Sequence, residues 1–183
     1  MLKSHYFFAL SLPQDTKRMI KEWVQPLQEE ASFKRWVHTH DYHLTLAFLG
    51  SADDLNPVID KVEKLTCSSF SLTLGDFGTF GNPDSPRIFW LGVEPSHSLL
   101  RVRDLVYGAC EDAGYSLDTR PFSPHITVGR KWNEPSPFTS EWMKRFQPTE
   151  TYTFKANEIV LYQTHVDRIP KYEAIHTIQL QAN

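Results

Sequence analysis

The chain has 183 residues, 40% hydrophobic and 13% aromatic, enough to bury a core in one ordinary domain or two tightly joined lobes. Its formal net charge of −3 lacks the basic surplus of a protein that grips long nucleic acid non-specifically, so a nucleic-acid ligand would be held at one end or be small. Cys67 and Cys110 make no disulfide framework, no window approaches a transmembrane helix, and Met1–His5 has no signal-peptide pattern; a soluble, cytoplasmic protein is the expectation.

Residues 5–12 read as an aromatic-rich strand ended by Pro13. From Asp15 to about Glu30, Ile20, Trp23, Val24 and Leu27 form one apolar helical stripe, with Pro26 expected to kink or end the helix. Trp36-Val37 begins a short strand, and His43 to Leu49 is a strand closed by Gly50. Asp53 or Asp54 can cap a helix through Val58, Ile59, Val62 and Leu65. Phe70 to Leu74 alternates as a strand, Gly75–Pro83 is turn-rich, and Arg87 to Val93 is strand again. Ser96 opens a helix that stops near Gly114, and Pro121–Pro124 is a stiff loop into another strand at His125. A short helix over Phe138–Phe146, capped by Ser136 or Thr139, precedes two strands near Tyr152–Tyr162 and Tyr172–Leu180. Strands, hairpin-like pairs and helices in this order predict an α+β fold rather than a doubly wound parallel sheet.

Two of these strands open on the same phrase. His43-Leu44-Thr45-Leu46 and His125-Ile126-Thr127-Val128 each set a His and a Thr on one face and two aliphatics on the other. If the strands lie together, two imidazoles and two hydroxyls converge on one polar cleft, a set suited to acid–base chemistry on a phosphate. The duplication also suggests two related halves facing each other.

These paired motifs and their flanks resemble the 2H phosphoesterase superfamily, and within it the bacterial and archaeal RNA 2′,3′-cyclic phosphodiesterases, also called 2′-5′ RNA ligases. The resemblance spans nearly the whole chain: Tyr6–Pro13, Arg35-Trp36-Val37, Leu44–Gly50, Phe77–Phe80, Pro86–Val93, Arg120–Arg130 and Ile159–Tyr162. It implies a single bilobal domain over residues 1–183, with two pseudo-symmetric lobes of mainly antiparallel sheet, outer helices, a central cleft and one His-x-Thr motif per lobe. It implies no cofactor and no metal, with RNA ends bearing a 2′,3′-cyclic phosphate, or small cyclic nucleotides, as partners. The implied reaction is hydrolysis to a 2′-phosphomonoester, with reversible 2′-5′ joining in some members. His43 would be the general acid and His125 the general base, an order that the residues themselves leave open. Thr45 and Thr127 would hold the non-bridging oxygens, and Arg130 would reach a phosphate oxygen or the nucleotide. At residues 37–42, Val-His-Thr-His-Asp-Tyr stands where members more often carry Pro, Glu and Asn.

Other candidates have plainer readings. His38, His40 and His43 could ligate a metal only with a turn between them, and solvated loop histidines are the simpler account. Tyr6 and Phe48 read as core aromatics, with stacking on a terminal base as the alternative. Lys34-Arg35 and Arg130-Lys131-Trp132 read as solvated surface, with guidance of an RNA backbone as the alternative. Gly75–Gly81 lacks the Lys-Ser/Thr of a phosphate-binding loop. Rival functions are a 2H enzyme for another small substrate, such as a cyclic-phosphate ADP-ribose derivative or a 2′-5′ oligonucleotide, and an RNA-end binding module without turnover. A monomer is expected, since the cleft needs no second chain.

Overall fold

The apolar alternation read above becomes two antiparallel sheets. The structure, a computed structural model, describes residues 4–182. Its strands are β1 (His5–Ser11), β2 (Phe33–Trp36), β3 (His43–Gly50), β4 (Phe70–Asn82), β5 (Ser85–Val93), β6 (His125–Trp132), β7 (Thr153–Ala156), β8 (Glu158–Thr164) and β9 (Tyr172–Gln179). Four helices accompany them: α1 (Gln14–Glu30), α2 (Asn56–Glu63), α3 (His97–Asp112) and α4 (Ser140–Lys144). One sheet runs β3-β1-β8-β9 and the other β2-β6-β5-β4-β7, so the fold is α+β as expected. The chain passes between the sheets at β1–β2, β2–β3, β3–β4 and β7–β8, which ties the two lobes together.

The pseudo-symmetry is visible in the register. β1–α1 leads to β3, and β5–α3 leads to β6; in each case the later strand lies antiparallel beside the earlier one. Ser11 faces His43 and Leu10 faces Leu44, while Gly92 faces His125 and Leu91 faces Ile126. Phe8, Leu10, Leu44, Phe89, Leu91 and Ile126 are fully buried in one contiguous core. Each such side chain contributes about 1.5–3 kcal/mol of burial, so the strands bearing the motifs are among the best anchored in the molecule.

Several sequence expectations need correction. Pro26 does not end α1, which continues to Glu30 with Ile20, Val24 and Leu27 buried on both sides of the proline's missing N–H. The strand expected at Trp36-Val37 lies instead over Phe33–Trp36, paired to β6. The glycine-rich stretch from Gly75 is no turn but the second half of β4; the turn falls at Pro83-Asp84. Here glycine serves close approach: a Cβ on Gly78 would stand 2.3 Å from the Trp90 ring. The stretch Tyr152–Tyr162 divides into β7 and β8, which belong to different sheets. The caps came out closer to expectation. Ser96 and Thr139 accept from the amides of Leu99 and Trp142 as helix caps, whereas the cap position of α2 is Leu55, without a side-chain bond, and Asp54 stands one residue earlier and accepts from the Asn56 amide. Cys67 and Cys110 are both buried and unpaired with each other. No helix among the described residues is long and apolar enough to cross a membrane.

Candidate active site

Each motif histidine is the first residue of its strand, and each is held in the same way. His43 Nδ1 lies 2.7 Å from the Asp41 carbonyl, and His125 Nδ1 lies 2.7 Å from the Ser123 carbonyl. A carbonyl only accepts, so Nδ1–H donates in both rings, and Nε2 of each neutral ring is left as the proton acceptor. The Thr45 hydroxyl lies 3.1 Å from His43 Nε2. Aromatic rings clamp both imidazoles: Phe7, Tyr172 and Tyr162 stand 4.7, 5.0 and 5.9 Å from His43, and Phe80 and Trp90 stand 4.9 and 6.2 Å from His125.

A matched irregularity shapes the rest of the site. Facing β1, the register jumps from Ala9–Thr45 to Phe8–Ala47; facing β5, it jumps from Trp90–Thr127 to Phe89–Gly129. Leu46 and Val128 are therefore the extra residues of two equivalent β-bulges, and each bulge reverses the alternation beyond it. Burial follows: Leu46 and Ala47 are both buried, as are Val128 and Gly129. The residue five places after each histidine thus turns to the histidine's face. In one lobe it is Phe48, 52% exposed; in the other it is Arg130.

Thr45, Phe48, Phe80 and His125 line one cavity of about 770 Å³, with Arg87 and Arg103 farther along its wall. This volume is in the range of small-molecule sites. β3 and β6, which carry Thr45 and His125, approach each other. Burial pushes His43 down to about 4, with the charges of Arg130 and Lys17 adding, against the bond to the Asp41 carbonyl and the Asp41 charge. Burial also lowers His125, with Arg130 adding and the Ser123 carbonyl opposing. Arg130 therefore bears on both rings, as an anion-holding group between them would. Two proton-exchanging rings, a hydroxyl and a guanidinium, of which Thr45 and His125 line the cavity, can together bind a phosphate and move protons to and from it.

The model of the 2′-5′ RNA ligase superfamily matches residues 16–168 of this chain. The chain belongs to the 2′-5′ RNA ligase superfamily. It is 41% identical to the RNA 2′,3′-cyclic phosphodiesterase of Geobacillus stearothermophilus, over 98% of this chain, but spans only 58% of that relative's length. It is 31% identical to the RNA 2′,3′-cyclic phosphodiesterase of Bacillus subtilis (strain 168), covering 98% of both chains. The structure of Escherichia coli LigT complexed with 3′-AMP superposes with a TM-score of 0.81 at 25% identity, covering 97% of this chain and 98% of that one.

In this superfamily member, the cavity gathers Thr45 and His125, with His43 bonded to Thr45 and Arg130 acting on both histidines. Thr127 lies on the His125 side of β6, opposite Trp90 in register, and, like His43 and Arg130, is not part of the cavity wall. Tyr6 packs partly buried against the core, as expected, whereas Phe48 does not: the bulge brings it to the cavity. His38 caps a single 3₁₀ turn over Thr39–Asp41 and His40 lies within it, its amide donating to His38 Nδ1. Among the described residues, no group of three or more His, Cys, Asp or Glu is placed to hold a metal ion.

Sequence reasoning missed Asp41. Its buried carboxylate accepts from the backbone amides of Lys171 (2.8 and 3.0 Å) and Tyr172 (3.0 Å), while its own carbonyl holds His43. Buried Lys17 reaches the next carbonyl back, His40 O, at 2.6 Å, with the Asp41 charge opposing the lowering that burial imposes on its ammonium. The one sequence signal was positional: Asp41 and Ser123 both stand two residues before a motif histidine.

The buried ring of His43 makes stability depend on pH. Its folded value, about 4, lies below the ordinary 6.5, so the unfolded chain binds the proton more readily. The stabilisation is fully present above about pH 6.5 and is lost as pH falls through the folded value, by up to about 3 kcal/mol. In urea unfolding at pH 7 and pH 4, His43→Gln should show a pH dependence smaller by about that amount. Parallel dependences in wild type and variant would contradict this account.

Proposed function

We propose that this chain hydrolyses the 2′,3′-cyclic phosphate of an RNA end or nucleotide to a 2′-phosphomonoester, without a metal, acting as one bilobal unit with one His-x-Thr strand from each lobe. The observation that carries this reading is the matched pair of histidines, each pinned through Nδ1, with His125 and Thr45 lining one cavity, His43 bonded to Thr45 and Arg130 bearing on both rings. The names of the Geobacillus and Bacillus relatives support the substrate class.

In the proposed reaction, water attacks phosphorus in line with O3′. His125 takes the water proton at Nε2 as the P–O bond forms, and His43 gives its Nε2 proton to O3′ as the P–O3′ bond breaks. Thr45 and Thr127 donate to the non-bridging oxygens, and Arg130 offsets their charge. Burial keeps His43 neutral near pH 7 in the free protein, so its proton is taken up together with the anionic substrate, whose charge favours the imidazolium. If a 5′-hydroxyl attacks in place of water, the same steps join RNA ends through a 2′-5′ bond.

One observation favours a second reading, with the roles exchanged. His43 is driven down to about 4 and is the ring more readily left as a base.

The test is a short RNA ending in a 2′,3′-cyclic phosphate, incubated in excess chelator with the product position identified. A 2′-phosphate is expected. Tight binding without product would point to an RNA-end binding module, and turnover of only other cyclic or 2′-5′ substrates would point to a different 2H activity.

A further inference from the structure

Arg35 and Arg130 face each other directly across β2 and β6. Like charges opposed in a sheet are destabilising unless something neutralises them. Among the described residues, neither arginine has a carboxylate partner, and neither does Lys171. Lys171 comes from the opposite lobe, just before β9, where its amide is bonded to Asp41. Burial lowers its ammonium, the charges of Arg35 and Arg130 lower it further and the Asp41 charge opposes them, so Lys171 is within electrostatic reach of both arginines. Of the arginines that line the cavity, Arg103 and Arg120 are already paired with Asp104 and Asp118, whereas Arg87 is in no ion pair among the described residues. A chain of net charge −3 thus gathers three cations without a carboxylate ion pair close to its histidines.

The cluster has an inner and an outer side. Arg130 bears on both histidines, whereas Arg35 and Lys171 bear on neither ring to any comparable degree. The outer pair is thus available to an anion beyond the reacting phosphate. A terminal nucleotide carries its next phosphate on the 5′ oxygen, on the far side of the ribose from the cyclic phosphate.

We propose that Arg35 and Lys171, backed by Arg130, form a second anion subsite that takes the phosphate on the 5′ oxygen of the terminal nucleoside, so that the enzyme selects 5′-phosphorylated or RNA-linked cyclic ends over a bare nucleoside cyclic phosphate. This rests on the hydrolase reading above. A guanidinium or ammonium on a phosphate forms charge-assisted hydrogen bonds, and losing one such contact costs roughly tenfold or more.

The test compares kcat/KM for three substrates at low salt: a nucleoside 2′,3′-cyclic phosphate with a free 5′-hydroxyl, the same compound with a 5′-phosphate, and a dinucleotide with the same cyclic end. Wild type should prefer the dinucleotide over the bare nucleoside by roughly a hundredfold for two cations, and raised salt should erode the preference. Arg35→Gln and Lys171→Gln should each reduce that ratio by roughly tenfold, with unfolding midpoints measured in parallel to confirm folded variants. An equal gain for the 5′-phosphorylated nucleoside would mean that the subsite reads the phosphate alone; a gain only for the dinucleotide would mean that it reads the phosphodiester. Equal turnover of all three substrates, or a preference unchanged in both variants, would overturn the subsite and leave the hydrolase reading standing. No turnover of any substrate would instead remove the hydrolase reading on which it rests.

Discussion

Replacing His43 or His125 with Ala should each lower kcat on a cyclic-ended RNA by roughly two to four orders of magnitude, the usual worth of one general acid or base. KM should move far less, because Arg130 and the threonines still hold the phosphate. The loss in the double variant should fall well short of the product of the two, since one ring has no proton to pass on without the other. The same variants separate the two role assignments. A substrate with sulfur at the bridging 3′ position has a leaving group that needs no proton, so it should restore much of the rate to the variant lacking the acid and none to the variant lacking the base. Rescue of His43→Ala makes His43 the acid; rescue of His125→Ala supports the exchanged roles favoured by the depressed His43 ring. Wild-type rates in both single variants would end the two-histidine mechanism.

Asp41→Ala should be the most destabilising change at the site. It leaves the Lys171 and Tyr172 amides without their acceptor and removes the one carboxylate charge acting on buried Lys17. Leaving those two amides without an acceptor costs about 1–3 kcal/mol each. Asp41→Asn keeps an acceptor oxygen and should cost about half as much or less, because only the charge is lost. Urea unfolding of the three proteins checks the order. Both variants should also lower kcat more than they raise KM, since the Asp41 carbonyl that orients His43 belongs to the turn that its carboxylate anchors to β9. Unfolding free energies within error of wild type for Asp41→Ala would contradict this role.

How much of this was legible beforehand follows from which interactions are local. Alternation over a few residues is a local property, so the motif strands, the amphipathic stripe of α1 and the Ser96 and Thr139 caps could all be read from neighbouring residues. The repeated His-x-Thr phrase could be read as setting each histidine and its threonine on one face, because period-two geometry is local. Glycine misled over Gly75–Gly81, where it marks not a turn but the room that Gly78 leaves for a ring on the neighbouring strand. Pro26 misled because burial on both sides of it sustains a helix that the residue alone would stop.

The sequence by itself determined the α+β class, the paired motif and the family, since each is written in residue order and spacing. Only the tertiary structure decided what surrounds the histidines. The bulges at Leu46 and Val128 arise from pairing with β1 and β5, and they carry Phe48 and Arg130 to the site face against simple alternation. The Asp41 anchor joins residues about 130 positions apart, and the Arg35, Arg130 and Lys171 cluster joins two lobes. Register shifts and long-range charge contacts depend on which strands meet, and that is settled only when the whole chain has packed.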